Sequence, residues 1–321
     1  MVRSVIKNRQ AFESKLYQVL KNRELSGSRI LLGVSGGADS IALSLAMHRL
    51  APKLKFEIEV AHIHHGLSHS SEQAEYRDRA QNFCKNWAEQ LGTTYWTERH
   101  RGEEIKGEAQ LRVVRYKLLE SLQKKHGFQY LGLAHHSDDL LETRLIRMIR
   151  GVGLGGIASM SVRSKNKLRP LLSFSRDEII DYLESTGTKY LEDPSNSTLE
   201  PLRNWVRTQW LPELEKKRPG SSKSLARSLE ILTRRAKVSA TKLGRYIEPE
   251  GLSRSQLVGL DLTEQRQLLA LFLKEKQVQA YSSAQIDEVL KRLRTPQGEF
   301  QFVVAKRLWK VTRLFVQLER E

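Results

Sequence analysis

Two clusters of residues in this sequence have the types and spacing to do chemistry. The first is Ser35-Gly36-Gly37-Ala38-Asp39-Ser40, where small residues sit beside one carboxylate and two hydroxyls. Glycine lacks a Cβ, so such a turn can take positive φ and let a ligand approach its backbone. Its N–H groups, added to the unpaired N–H groups and dipole of a helix start, make an anion site. No lysine follows the second glycine and the GxxxxGKS/T spacing is missing, which excludes a Walker loop. The second cluster is Asp138, Asp139 and Glu142, at i, i+1 and i+4. One aspartate and the glutamate therefore share a helix face. Carboxylate oxygens are the ligands Mg2+ prefers, and a carboxylate is also a general base for an amine. The plainer reading is that a helix N-terminus favours acidic residues through its dipole.

The elements that must position these clusters are legible from periodicity. Ile30 to Val34 is a short apolar run, a strand buried on both faces, and the turn of the first cluster follows it. An amphipathic helix then starts at Asp39-Ser40. Residues 5 to 24 predict a leading helix, and Phe56 to Ile63 the next strand, running into His62-Ile63-His64-His65-Gly66-Leu67. A helix over Ser71 to Leu91 stops at Gly92 and carries Cys84 on its apolar stripe, a core position and not a nucleophile. Thr93 to Thr97 reads as a strand, Gly107 to His126 as a helix, Phe128 to Ala134 as a strand and Ser137 to Ile149 as a helix. This alternation predicts a doubly wound parallel α/β sheet, in which ligands sit beyond the carboxyl ends of the strands. That rule gathers Ser35 to Ser40, His62 to Gly66 and His135 to Glu142 around one crevice.

Further along, Arg169-Pro170-Leu171-Leu172 reads as extended, and Ser175-Arg176-Asp177-Glu178 as a capping box. Glu192 to Thr198 is a polar turn cluster, and a helix carrying Arg203, Asn204, Trp205 and Arg207 follows. Basic helices are expected over Ser224 to Tyr246, Thr263 to Lys276 and Ser283 to Leu293, then two strands between Gly298 and Gln317. KKRPGSS has the texture of a linker, so the boundary is placed between a domain of residues 1–212 and a smaller, basic, mainly helical domain of residues 213–321.

Two tempting motifs fail. His62, His64, His65, His135 and His136 suggest zinc, but successive strand residues point to opposite faces, so His64 and His65 cannot serve one ion unless the strand has ended. Hydrogen bonding near phosphate is the better use for them. Gly151 to Gly156 satisfies GxGxxG yet follows a helix, which argues against a dinucleotide site.

Composition narrows the class. The chain of 321 residues has 54 Lys and Arg against 37 Asp and Glu, and residues 201 to 321 alone carry a net +11 of the total +17. Such an excess favours a polyanion as partner. One cysteine excludes a disulfide and a cysteine-rich metal or iron–sulfur site and fits a reducing cytoplasm. No signal-like N-terminus and no apolar run of about 18 residues is present, so neither secretion nor a membrane span is expected.

The first cluster resembles the SGGxDS signature, or PP-loop, of the ATP pyrophosphatases. The fuller set, SGGADS (35 to 40), HHGL (64 to 67), LRVVRY (111 to 116), AHHSDDLLET (134 to 143), RGVGLGGIASM (150 to 160), RPLL (169 to 172) and EDPSNS with RNWVR (192 to 207), resembles the tRNA(Ile)-lysidine synthase family. It covers the N-terminal two thirds, and the residues from Gly259 to Phe300 are similar to that family's first C-terminal domain. A second such domain, found in longer members, is not expected, as in the family's short forms. Leu140 stands where the family usually has glutamine, which removes a polar side chain beside the acidic pair.

The resemblance implies a cytoplasmic ligase that uses ATP and Mg2+ to join free L-lysine to cytidine 34 of the isoleucine tRNA with a CAU anticodon. An adenylated tRNA is the intermediate, and AMP and pyrophosphate are released. It implies that Ser35, Gly36, Gly37, Ala38, Asp39, Ser40 and His65 bind the nucleotide and that Asp39 and Asp138 hold the metal. Asp39, Asp138, Asp139, Arg112 and Arg207 are the implied catalytic residues, one of the Asp138/Asp139 pair being the base for lysine. A homodimer is left open. The alternatives are another PP-loop tRNA-modifying enzyme or an amidotransferase-type ATP pyrophosphatase acting on a small molecule. Persulfide or iron–sulfur thiolation needs more cysteines than Cys84, and a small-molecule enzyme has no use for the basic C-terminal third.

Overall fold

Ile30, Leu31 and Leu32 are buried without remainder and form the middle of strand β1 (Arg29–Gly33) in the computed structural model. The structure describes residues 2–105, 107–151, 160–192, 201–278, 281–294 and 298–319. The glycine-rich segment 152–159 and the DPSNS segment within 193–200, both singled out by the sequence, lie outside the described residues. The chain falls into two compact units, Met1–Glu142 with Met160–Glu213, and Thr143–Ser159 with Leu214–Glu321.

The first unit is built on a six-stranded sheet. Its strands are β1, β2 (Glu57–His64), β3 (Tyr95–Arg99), β4 (Tyr130–Gly132), β5 (Arg163–Ser164) and β6 (Lys167–Leu168), in the order β3-β2-β1-β4-β6-β5. All neighbours run parallel except the short β5–β6 pair. Alternate residues of β1 and β2 serve two cores, as the period of a strand requires. Ile30, Leu32, Ile58 and Val60 meet α1 (Val2–Leu20), α2 (Ala38–Leu54), α3 (Ser71–Gln90) and, beyond α4 (Glu108–Lys125) and α5 (Ser137–Ile149), α6 (Arg176–Thr186). Leu31, Ala61 and Ile63 pack instead with Leu119 and Leu122 of α4. Helices on both faces make the sheet doubly wound, as the sequence predicts.

Strand order reverses beside β1: the chain moves outward through β2 and β3, then returns to place β4 on the other side. That switch point opens a crevice at the carboxyl ends of β1 and β4. Gly132 permits the close approach of those strands, since a Cβ there would lie 2.4 Å from Leu32 Cδ2.

Arg169 to Leu172 is not extended. Pro170 starts a 3-10 turn, Pro170–Ser173, because Leu171 and Leu172 are buried and the turn folds them into the core. Of the KKRPGSS segment, Lys216 and Lys217 end one helix and Ser221 begins the next, with a short turn between them. A helical run covers α7 (Pro201–Trp205), a wider π turn (Val206–Trp210) and α8 (Leu211–Lys217). Pro212 has no N–H to donate one turn back, and the helix widens into i→i−5 bonding just before it, the Leu211 N–H donating to the Val206 carbonyl.

The second unit combines α9 (Ser221–Leu243), α10 (Arg254–Val258), α11 (Leu262–Glu275) and α12 (Ser283–Leu293) with an antiparallel sheet. Its strands are β7 (Ile247–Glu248), β8 (Gly251–Ser253), β9 (Phe300–Val304), β10 (Arg307–Val311) and β11 (Phe315–Leu318), in the order β7-β8-β11-β10-β9. The sequence predicts only two strands there. β7 and β8 are too short for alternation to show, and the β9–β10 turn uses Ala305 and Lys306 at positive φ, 55° and 62°, in place of the usual Asn-Gly signal. Trp309 anchors this core, its ring stacked on Phe302 at 6.1 Å. Among the described residues no helix is long and apolar enough to cross a membrane.

Candidate active site

The turn after β1 is braced from three sides. His62, on β2, donates its Nδ1–H to the Val34 carbonyl at 2.9 Å, the only role open to a nitrogen facing a carbonyl. Ser40 Oγ donates to the Gly37 carbonyl at 2.8 Å and accepts the Ser35 N–H at 3.2 Å. The Leu191 N–H donates to the Gly36 carbonyl at 2.9 Å. Gly36 has φ +93°, and a Cβ there would stand 3.2 Å from Leu191 Cδ1. α2 begins at Ala38, one residue before the expected start, and its N-cap Gly37 has no side chain to cap the first N–H groups. Backbone donors at an uncapped helix start, on a turn only glycine fits, suit a phosphate chain. Cys84 is buried behind the turn, and burial pushes its thiol up to about 12, which agrees with a core role.

The second cluster begins the helix after β4 and faces this turn. His136 Nε2 lies 3.8 Å from Asp39 Oδ2 and 3.4 Å from Asp139 Oδ2, while its Nδ1 lies 3.7 Å from Asp138 Oδ2. One imidazole thus gathers all three predicted aspartates. Asp138 accepts from the Ser137 hydroxyl at 3.0 Å and from the Arg176 backbone N–H at 3.2 Å. Asp139 accepts the His136 N–H at 3.1 Å and Arg207 Nη2 at 3.2 Å. Burial raises the Asp139 carboxyl, but His136, His135, that N–H and Arg207 together bring it below the ordinary value. Glu142 takes Arg207 in a fork, Nε to Oε1 at 2.6 Å and Nη2 to Oε2 at 3.0 Å. Its burial still leaves its pKa raised. The aspartate that shares a face with Glu142 is therefore Asp139, three residues before it.

Arg112 and His65 fall elsewhere in the site's surroundings. Arg112 Nη2 donates to His135 Nε2 at 2.9 Å, and Tyr116 OH lies 3.3 Å from the same nitrogen. Burial first, and then Arg112, lowers His135 to about 3. His65 is likewise lowered to about 3, by burial and then by Arg115 and Arg77. Both rings are neutral at pH 7, and both keep a buried Nδ1 without a hydrogen-bond partner among the described residues. His64 is spent on structure, accepting the Gly66 N–H at 3.0 Å with its other nitrogen 3.0 Å from Asp78.

Sequence reasoning missed Arg176, whose Nη1 donates to Asp39 Oδ1. The available signal was its place: a cation in the first turn of a helix opposes the dipole unless an anion faces it. It also missed His136 as the hub of the acidic group, having assigned that histidine to hydrogen bonding near phosphate. Hard carboxylate oxygens around one point fit Mg2+, which takes one or two protein carboxylates and completes its shell with phosphate and water. Among the described residues no three His, Cys, Asp or Glu side chains converge as a metal site, so two carboxylates would leave most of a metal's shell to water or phosphate.

The comparisons with known proteins agree with this geometry. Residues 8–214 match the model of the PP-loop domain. A tRNA(Ile)-lysidine synthase from Bdellovibrio bacteriovorus is 36% identical over 309 residues, covering 95% of this chain and 96% of the relative. The chain belongs to the tRNA(Ile)-lysidine synthase family. A member from Synechococcus is 30% identical over 89% of this chain and 90% of its own length. One from Nitrosomonas europaea is 29% identical over 87% of this chain, which spans only 62% of that longer relative. Among solved structures, the U34-tRNA thiolase NcsA from Methanococcus maripaludis with its 4Fe-4S cluster matches with a TM-score of 0.59 and 19% identity, over 73% of this chain and 80% of that one. At that identity the likeness is one of fold.

Proposed function

We propose that this lysidine synthase family member joins L-lysine to C2 of cytidine 34 in the isoleucine tRNA with a CAU anticodon, at the expense of ATP. The observation that carries the reading is the meeting of Asp39, from the PP-loop, with Asp138 and Asp139 around one imidazole at the strand switch point. The uncapped start of α2 would take the pyrophosphate portion of ATP on its backbone N–H groups. Asp39 and Asp138 would hold Mg2+, which supplies charge neutralisation on the departing phosphates. The cytidine O2 attacks the α-phosphorus, and the α–β bond breaks to release pyrophosphate. The lysine amine then attacks C2, and the C2–O bond breaks to release AMP.

Lysine arrives as an ammonium, with a pKa of about 10.4, and must lose a proton before its nitrogen can bond to C2. Asp139 is our candidate for that work. It is ionised throughout the physiological range, and Arg207 and the His136 N–H keep it in place. Arg112 and the neutral His135 would contact ATP or the RNA backbone, as would the neutral His65, which offers an unspent ring nitrogen. We further propose that residues 213–321 form the tRNA-binding domain. The test is incorporation of labelled lysine, with ATP and Mg2+, into the isoleucine transcript, its C34→U variant and an elongator methionine tRNA. Only the first should be labelled. A site that hydrogen-bonds the cytosine amino group leaves buried groups unpaired with uracil, worth up to about 10⁴-fold in discrimination. Equal labelling of all three would overturn the specificity. Labelling of none, with ATP still cleaved on adding another acceptor, would assign the chain a different reaction.

A further inference from the structure

Arg176 stands where a helix resists it. It is the first residue of α6, directly after the N-cap Ser175, and the acids that suit a first turn, Asp177 and Glu178, come after it. Its stabilisation comes from outside the helix. The guanidinium donates to Asp39 Oδ1, and the backbone N–H of the same residue donates to Asp138 Oδ2 at 3.2 Å. One residue thus engages both carboxylates assigned to the metal. Arg207 serves Asp139 and Glu142, so the cations are divided between the acids.

We propose that Arg176 is an exchangeable counter-ion: it neutralises Asp39 while the nucleotide site is empty, and moves to the triphosphate when metal and nucleotide reach Asp39. This rests on the reading of Asp39 as a metal ligand given above. A divalent cation at Asp39 and the guanidinium on its Oδ1 compete for one carboxylate's charge, so binding the metal weakens the hold on the arginine. The displaced side chain has room to turn, being 44% exposed. It also has a destination. Asp39 is the second residue of α2, so phosphates on the start of that helix lie beside the carboxylate that Arg176 leaves. The planar fork of arginine matches phosphate oxygens, and no covalent bond changes in the exchange.

Competition and phosphate binding predict opposite signs, which makes the test sharp. Mn2+ binding by the nucleotide-free protein, followed by electron paramagnetic resonance, should tighten about tenfold in Arg176→Gln, the worth of one charge-assisted hydrogen bond. Affinity for ATP with Mg2+, followed by calorimetry, should weaken by about the same factor. Arg176→Lys keeps the charge and loses the fork. Its Mn2+ affinity should stay near that of the parent, with an intermediate loss for ATP. If neither affinity moves in Arg176→Gln, the ion pair is structural and the proposal falls. If both move in one direction, Arg176 is a competitor only or a prop only, and it falls as well. Should Arg176→Gln fail to fold, Arg176→Lys decides, equal ATP affinity to the parent counting against the exchange. Asp39→Asn separates the two levels: unchanged Mn2+ and ATP binding there would remove the metal site itself.

Discussion

At the scale of single residues, what a side chain does here depends on what its neighbours leave undone. Asp39 is bound by the exposed Arg176 and approached by His136, and its side chain keeps 29% of its surface in solvent. Asp39→Asn should therefore leave the melting temperature within about 2 °C, as expected of a partly exposed position. AMP release on adding lysine and tRNA should fall by roughly 10²-fold or more, the scale of losing a group that acts on developing charge. Parent-like turnover would remove Asp39 from the reaction. His62 behaves in the opposite way, serving the fold by staying neutral. Burial lowers its pKa from 6.5 to about 4, against the pull of the Val34 carbonyl. The unfolded chain takes up a proton near 6.5 that the folded ring refuses until about 4, so this contribution is complete above 6.5 and is lost as pH falls through that window. His62→Asn keeps an amide donor for Val34 and removes the titration. Urea unfolding at pH 7.5 and pH 5 should show a smaller loss for the variant, by up to about 1.4 kcal/mol per pH unit.

At the scale of elements, the site exists because a turn and two helix starts converge. Gly36 carries positive φ with Leu191 and Phe83 packed where a Cβ would go. Gly36→Ala should cost about 1–2 kcal/mol in denaturant unfolding and weaken ATP by more than that energy implies, because the turn must shift away from the phosphate position. A variant with parent-like ATP affinity would show that the backbone of this turn does not bind phosphate. The π turn Val206–Trp210 has a similar positional use. It widens the helix at the residue that carries the Arg207 fork, and Pro212 supplies the local cause.

At the scale of the molecule, charge is unevenly divided between the units. The second unit holds 25 Lys and Arg against 12 Asp and Glu, a net +13 of the chain's +17. If this unit binds the RNA backbone, removing its exposed cations should flatten the salt dependence. Lys216, Arg218 and Lys223 are exposed. Changing all three to Gln should lower tRNA affinity and reduce the logarithmic salt slope by roughly 0.7–0.9 for each phosphate no longer neutralised, with ATP affinity unchanged. An unaltered slope in filter binding between low and moderate salt would place the RNA elsewhere. Substitution is a better probe than truncation. Arg144 lies in α5 but belongs to the second unit, where its buried guanidinium pairs with Glu230 at 2.8 Å.

The sequence by itself determined the doubly wound sheet, the PP-loop and its place between strand and helix, the acidic pair at the start of α5, and the core role of Cys84. Each is a local matter: period two or 3.6, a glycine turn, a capping box, a cysteine on an apolar stripe. Only the tertiary structure decided which groups meet. That Asp139 and not Asp138 shares Arg207 with Glu142 depends on a helix 65 residues further along. That Arg176 crosses to Asp39 depends on a separation of 137 residues. Short strands such as β7 and β8 were equally hidden, because two or three residues hold no period and acquire strand geometry only from the partner across the sheet. Periodicity reports how a segment meets its own solvent and core; ion pairs between distant segments leave no local trace, so only the folded chain reveals them.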